Sequence, residues 1–215
     1  QFSHVMAGTG PFTIWDYEGA KPDWNLRAPD QPFYALINLL VTHESQLFEK
    51  SIERNRANGL DQVVSPSDVE VPPYYPDTPA VRNAIAQHYD NIHSMDKQTG
   101  ELLEKLRQDG LIENTIVIWT TDHGDGLPRA KRELYDSGIK VPMIIHWPAA
   151  YRPQNFEAGS EDKRLVSFVD FAPSILGLAG VDVPASLQGV ASLFDKSVAR
   201  NYVYASKDRI DEFPF

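Results

Sequence analysis

The strongest constraint on the fold is a run of apolar residues, Ile116, Val117, Ile118 and Trp119, that stops abruptly at Thr120-Thr121-Asp122-His123. A run with no polar face reads as a strand covered on both sides, the kind found in α/β sheets. Ligands of open α/β sheets bind beyond the carboxyl ends of strands, and Asp122 and His123 fall at that end. They offer an oxygen and a nitrogen to a metal. Arg129, Lys131 and Arg132 bring three positive charges within ten residues of them. A second apolar run follows at residues 141–147. Taken singly, the Asp is a turn cap, the His an exposed side chain and the cations a solvated loop. Together, a metal pair beside a cationic loop suits an anionic group such as sulfate or phosphate.

The rest of the chain supplies alternating elements. Val81, Ile85, Tyr89, Ile92, Met95, Thr99, Leu102 and Leu106 recur at spacings of three and four, which predicts a long helix with one core-facing stripe. Thr78 is placed to cap it, Pro79 suits its first turn and Gly110 stops it. Prolines 66, 72, 73, 76 and 79 mark an extended excursion before it. A strand is expected at 32–41, a short helix within 44–65 ending near Asn58-Gly59, a helix at 169–179 with Phe171, Ile175 and Leu178 on one face, and a last strand at 202–205. Residues 1–30 read as irregular. The expected class is α/β, a mixed and mostly parallel sheet flanked by helices.

A formal net charge of −10 argues against a nucleic-acid partner or an anionic-membrane surface. There is no Cys, so neither disulfides nor thiol chemistry arise within these residues. No apolar run approaches the roughly 18 residues that span a membrane. His88, His93 and His146 sit within expected elements and read as ordinary structural residues.

The stretch from Asp122 to Pro142 resembles the second half of the active site of the formylglycine-dependent sulfatases, in the alkaline phosphatase superfamily. The matching positions are Asp122-His123, then Lys131, then Leu134-Tyr135-Asp136-Ser137-Gly138-Ile139 and Pro142. Residues 31–45 are similar to the family's strand ending in Thr-His, which maps to Thr42-His43. Residues 89–106 resemble its long helix, and residues 166–189 its late segment, with Val166, Ser167, Asp170, Pro173 and Gln188-Gly189. A weaker similarity, at 71–77 and 208–212, points toward members acting on N-sulfated glucosamine.

The resemblance implies hydrolysis of sulfate esters or sulfamates on a sulfated small molecule or glycan. It implies a Ca2+ ion, with another divalent metal as the alternative, held in part by Asp122 and His123. Lys131 and His43 would be catalytic and would contact the sulfate, with Arg129 as a further substrate-binding residue. Asp208, Arg209, Asp211 and Glu212 are weaker candidates for sugar hydroxyls. The family's C-x-P-S-R nucleophile, its paired Asp residues and its C-terminal subdomain have no counterpart here. Residues 1–215 are therefore expected to be part of a single catalytic domain, the middle of a longer enzyme, with formylglycine outside this chain and only part of the active site within it. A secreted or periplasmic location goes with the family. Two other readings stay open: a metal-dependent phosphatase, phosphodiesterase or phosphonate hydrolase of the same superfamily, and a non-catalytic homologue or fragment.

Overall fold

A computed structural model describes residues 15–19, 23–198 and 200–207. The chain divides into two compact units, Gln1–Gln98 and Thr99–Phe215.

In the first unit, Trp24 is buried and stacks on Phe33 with ring centroids 6.0 Å apart. The expected strand at 32–41 does not form. Residues 31–39 form no regular element and lead into 3₁₀ turns at Leu40–Thr42 and Glu44–Leu47. A strand needs a neighbour for its N–H and C=O groups, and the described residues of this unit contain no other strand. Apolar composition alone was therefore insufficient, and Tyr34 and Leu36 remain exposed.

Helix α1, Glu49–Ala57, ends where Asn58-Gly59 predicts. Gly59 takes a φ of +86°, Gly59 N–H donates to Arg56 O, and Leu60 N–H donates to Asn55 O. This is a Schellman closure, which a left-handed glycine makes without steric cost. The same closure ends the next helix at Gly110 and the last at Gly180.

Helix α2 spans Pro79–Gln108, with Val81 N–H donating to the Thr78 hydroxyl at 3.3 Å. The expected apolar stripe is only partly buried: Ile85 and Leu106 are, whereas Tyr89 and Ile92 are exposed. What α2 buries instead includes Gln87, His88, Asp90 and Asn91. The cause is the irregular segment before α2. It has no ladder, so its polar backbone groups need side-chain partners. Asp90 accepts from the N–H groups of Val63 and Val64 at 2.9 and 3.1 Å. Arg82 donates to the carbonyls of Pro66 and Val69, both at 3.2 Å, and also to Asp77. Arg82 thereby lowers the Asp77 pKa from its ordinary value.

In the second unit, β1 (Val117–Thr120) pairs with β2 (Met143–His146) in an antiparallel register running from Val117↔His146 to Thr120↔Met143. The α/β class holds in that helices and strands alternate; the strand pair among the described residues is antiparallel and does not by itself show the mostly parallel sheet expected. A parallel return needs a crossover of a dozen or more residues, usually a helix. The connection 121–142 instead contains one helical turn, α3 (Asp136–Ile139), and folds straight back.

Helix α4, Phe171–Leu178, follows a 3₁₀ turn at Phe168–Asp170. The segment after it has no ladder and is fixed by two side chains. Asp170 is fully buried and accepts from Val190 N–H at 2.9 Å, the Ser192 hydroxyl at 3.2 Å, and the Arg200 guanidinium. Arg164 donates to the carbonyls of Ser192, Leu193 and Asp195 and pairs with Asp162. The expected strand at 202–205 also fails to form, and Tyr202 and Tyr204 are exposed. The segment pairs with neither β1 nor β2.

Burial alone would raise the Asp170 pKa, but Arg200, Val190 N–H and Ser192 outweigh it and hold it below 3.8. A depressed folded pKa adds stability that is fully present above the unfolded value and is lost as pH falls through the folded one. Asp170→Asn should thus destabilise the protein by about 3 kcal/mol at pH 7, because Arg200 keeps its charge without its carboxylate. The gap to wild type should narrow as pH falls below about 4. Urea unfolding curves of both proteins between pH 7 and pH 3 measure this; a gap independent of pH would contradict it.

Candidate functional site

The candidate residues of the second unit that are described, Asp122, His123, Arg129 and Lys131, all lie on the connection between β1 and β2. Its base is closed by the Thr120 hydroxyl, which donates to Pro142 O at 2.8 Å. The Thr121 hydroxyl then donates to His123 O at 3.1 Å, turning the chain as it leaves the strand. Gly124 N–H donates to Gly138 O at 2.9 Å. A Cβ on Gly124 would lie 1.8 Å from Ser137 O, and one on Gly138 would lie 2.3 Å from Ala130 O and 2.2 Å from Glu133 O. Glycine at both positions lets backbone touch backbone.

Within that closure, Lys131 N–H donates to Asp125 O at 2.9 Å, and the Asp125 carboxylate accepts from Leu127 N–H at 2.9 Å. The Ser137 hydroxyl donates to Arg129 O at 2.6 Å. Arg129 and Arg132 take left-handed backbone angles, with φ of +68° and +71°, uncommon for residues bearing a side chain. Ala130 is buried between them and Lys131 is half-buried. Lys131 is therefore presented from a short turn, bonded at its own N–H to the segment that carries Asp122 and His123. The Arg129 guanidinium stacks over the Tyr135 ring at 4.0 Å.

The tautomer of His123 follows from its partner. Its Nδ1 lies 2.6 Å from Gly124 O, and a carbonyl oxygen only accepts, so Nδ1 carries the hydrogen. In the neutral ring Nε2 then holds the lone pair, the arrangement of a metal-ligating imidazole. Nε2 lies 3.5 Å from the Asp122 carboxylate, whose side chain is 84% exposed against 35% for His123. Two such donors can share one cation. Among the described residues there is no cluster of three or more His, Cys, Asp or Glu side chains able to hold a metal.

His43 belongs to the first unit, where it caps the 3₁₀ turn Glu44–Leu47. Ser45 N–H donates to its Nδ1 at 3.3 Å, and the Ser45 hydroxyl lies 2.9 Å from the same atom. An N–H only donates, so Nδ1 accepts and the neutral ring carries its hydrogen on Nε2, the opposite tautomer to His123. The sequence reading missed Ser45, although a serine two residues after a histidine is a local capping signal. It also missed the ion pair between Glu133 and Lys207, which are 74 residues apart and leave no local pattern. Asp208, Arg209, Asp211 and Glu212 lie outside the described residues.

The sequence model of the sulfatase family matches residues 22–181, an interval that includes His43, Asp122, His123, Arg129 and Lys131. The chain belongs to the sulfatase family. It is 37% identical to an ulvan-active sulfatase of Formosa agariphila, over 94% of this chain and 38% of that protein. It is 33% identical to the human N-sulphoglucosamine sulphohydrolase, over 58% of this chain and 24% of that protein. It is 36% identical to an N-acetylglucosamine-6-O-sulfatase of Bacteroides thetaiotaomicron, over 46% of this chain and 18% of that protein. The sulfatase chain thus spans well under half the length of these relatives.

The glycine contact in this sulfatase segment is open to direct test. Gly124→Ala should cost about 1–3 kcal/mol, because backbone must move to admit the methyl group. Gly100→Ala, in α2 with nothing within 4 Å of the added Cβ, should instead stabilise by about 0.5–1 kcal/mol. Thermal or urea unfolding of the two variants should shift in opposite directions; equal effects would refute the close approach.

Proposed function

We propose that the protein is a sulfuric ester or sulfamate hydrolase, and that the β1–β2 connection carries part of its metal site and its main sulfate-binding cation. The observation that carries the reading is the His123 ring, held by Gly124 O in the ligating tautomer with the Asp122 carboxylate beside its Nε2. These donors fit a divalent cation, Ca2+ by family resemblance, and that ion when bound supplies positive charge to the oxygens of the sulfuryl group.

Lys131 adds a fixed ammonium to the same anion. Negative charge grows on the leaving oxygen or nitrogen as the sulfur–oxygen or sulfur–nitrogen bond breaks, and pre-positioned cations around the group stabilise that charge without reorganising. His43, with its hydrogen on Nε2, suits donation to the leaving atom. Arg129 offers a planar set of donors for a second anionic group. The nucleophile is taken to be a formylglycine outside this chain.

The substrate class follows from the relatives' names, which include an ulvan-active sulfatase and an N-sulphoglucosamine sulphohydrolase: a sulfated glycan or a fragment of one. A secreted or periplasmic location suits such a substrate, and no helix among the described residues is long and apolar enough to cross a membrane. By the same resemblance, residues 1–215 are part of one catalytic domain, and β1 and β2 are part of a larger mixed, mostly parallel sheet.

In the intact enzyme, Lys131→Ala should lower turnover of a chromogenic aryl sulfate by roughly 10²–10³. Chelation of divalent metal should abolish turnover in wild type. Near wild-type turnover in the variant, or a preference for the matching aryl phosphate, would overturn the proposal.

A further inference from the structure

We infer that Glu133 and Lys207 form a positioning pair for the Lys131 turn; the inference rests on the sulfatase reading for its catalytic consequence but not for its structural one. Lys207 Nζ donates to Glu133 Oε1 at 2.8 Å, with side chains 25% and 36% exposed. Glu133 stands two residues after Lys131, with the left-handed Arg132 between them. Its N–H donates to Ala130 O at 3.1 Å, so residues 130–133 make a single turn with Lys131 inside it. One end of the turn is anchored by the buried Ala130, whose carbonyl, like that of Glu133, faces Gly138. The other end is anchored by the Glu133 carboxylate on Lys207.

Lys207 is itself delivered by a tethered segment. Residues 202–207 have no ladder, and Arg200 is bound to the buried Asp170. The segment is thereby strung between two ion pairs, one at Asp170 and one at the Lys131 turn.

The pair also has an electrostatic role. Glu133 places a carboxylate two residues from Lys131 in sequence. Pairing with Lys207 neutralises it, and at partial burial the screening by water and salt is reduced. Lys207 therefore holds the turn and cancels the one negative charge next to Lys131 in sequence on its carboxyl side.

The test uses the intact protein with Lys207→Met, Lys207→Arg and the double variant Glu133→Gln/Lys207→Met. Hydrogen exchange at the Lys131 amide should quicken in Lys207→Met and stay slow in Lys207→Arg. With an aryl sulfate, kcat/KM should fall about tenfold in Lys207→Met, the scale for partners that orient a site residue. It should recover in part in the double variant, which removes the uncompensated carboxylate; a purely structural brace would leave the double variant no better than the single. Unchanged Lys131 exchange in Lys207→Met, or equal activity in the single and double variants, overturns the inference. Absence of turnover in wild type itself would refute the sulfatase reading, and the exchange comparison would still decide whether the pair holds the turn.

Discussion

The second unit is organised around a place where backbone meets backbone with no side chain between. Gly124 N–H reaches Gly138 O, and each glycine lies where a Cβ would intrude on a carbonyl. The contact draws the start of the β1–β2 connection onto its end, so that the intervening residues form a closed loop. Asp122 and His123 are set just before the closure, and Arg129 and Lys131 within it. Their shared location comes from this seam rather than from the strands, which contribute only four residues each.

Elsewhere, charged side chains take over work that sheets usually perform. Asp90 binds two successive N–H groups of the segment before α2, and Arg82 binds carbonyls of the same segment. Asp170 and Arg164 do the same for the chain beyond α4. In each case irregular backbone, which has no ladder of its own, is satisfied by a side chain fixed elsewhere in its unit. Buried polar groups arranged this way are sensitive to loss of any member, since a single deletion leaves several partners without a bond.

Helices were legible in the sequence because their signals are local. Thr78-Pro79, Gly59 and Gly110 marked ends that the backbone respects. Strands were less so. The runs at 116–119 and 141–147 became β1 and β2 because each found the other, whereas 32–41 and 202–205 have suitable composition and no partner among the described residues. Pairing direction was likewise hidden: it depends on whether the connection crosses over, and residues 121–142 read equally well as a link of either kind. For α2, periodicity identified the helix but not which side is buried, because Asp90 and Gln87 are engaged by a segment remote in sequence. At the candidate site, the residue types and their order were legible. The ring tautomers of His43 and His123, and the pairing of Glu133 with Lys207, depend on neighbours that only the folded chain brings near.

The closed loop at Gly124 and Gly138 has a consequence for the order of folding. Bringing chain ends together costs an entropy that grows slowly with the length enclosed, and local closures form before distant ones are reached. The bond from Lys131 to Asp125 spans six residues and that from Gly124 to Gly138 fourteen, whereas Arg200 must find Asp170 across thirty and Lys207 must find Glu133 across seventy-four. The arrangement of Asp122, His123 and Lys131 can therefore assemble as a nearly self-contained module early in folding, and the late segment docks onto a loop whose path is already set.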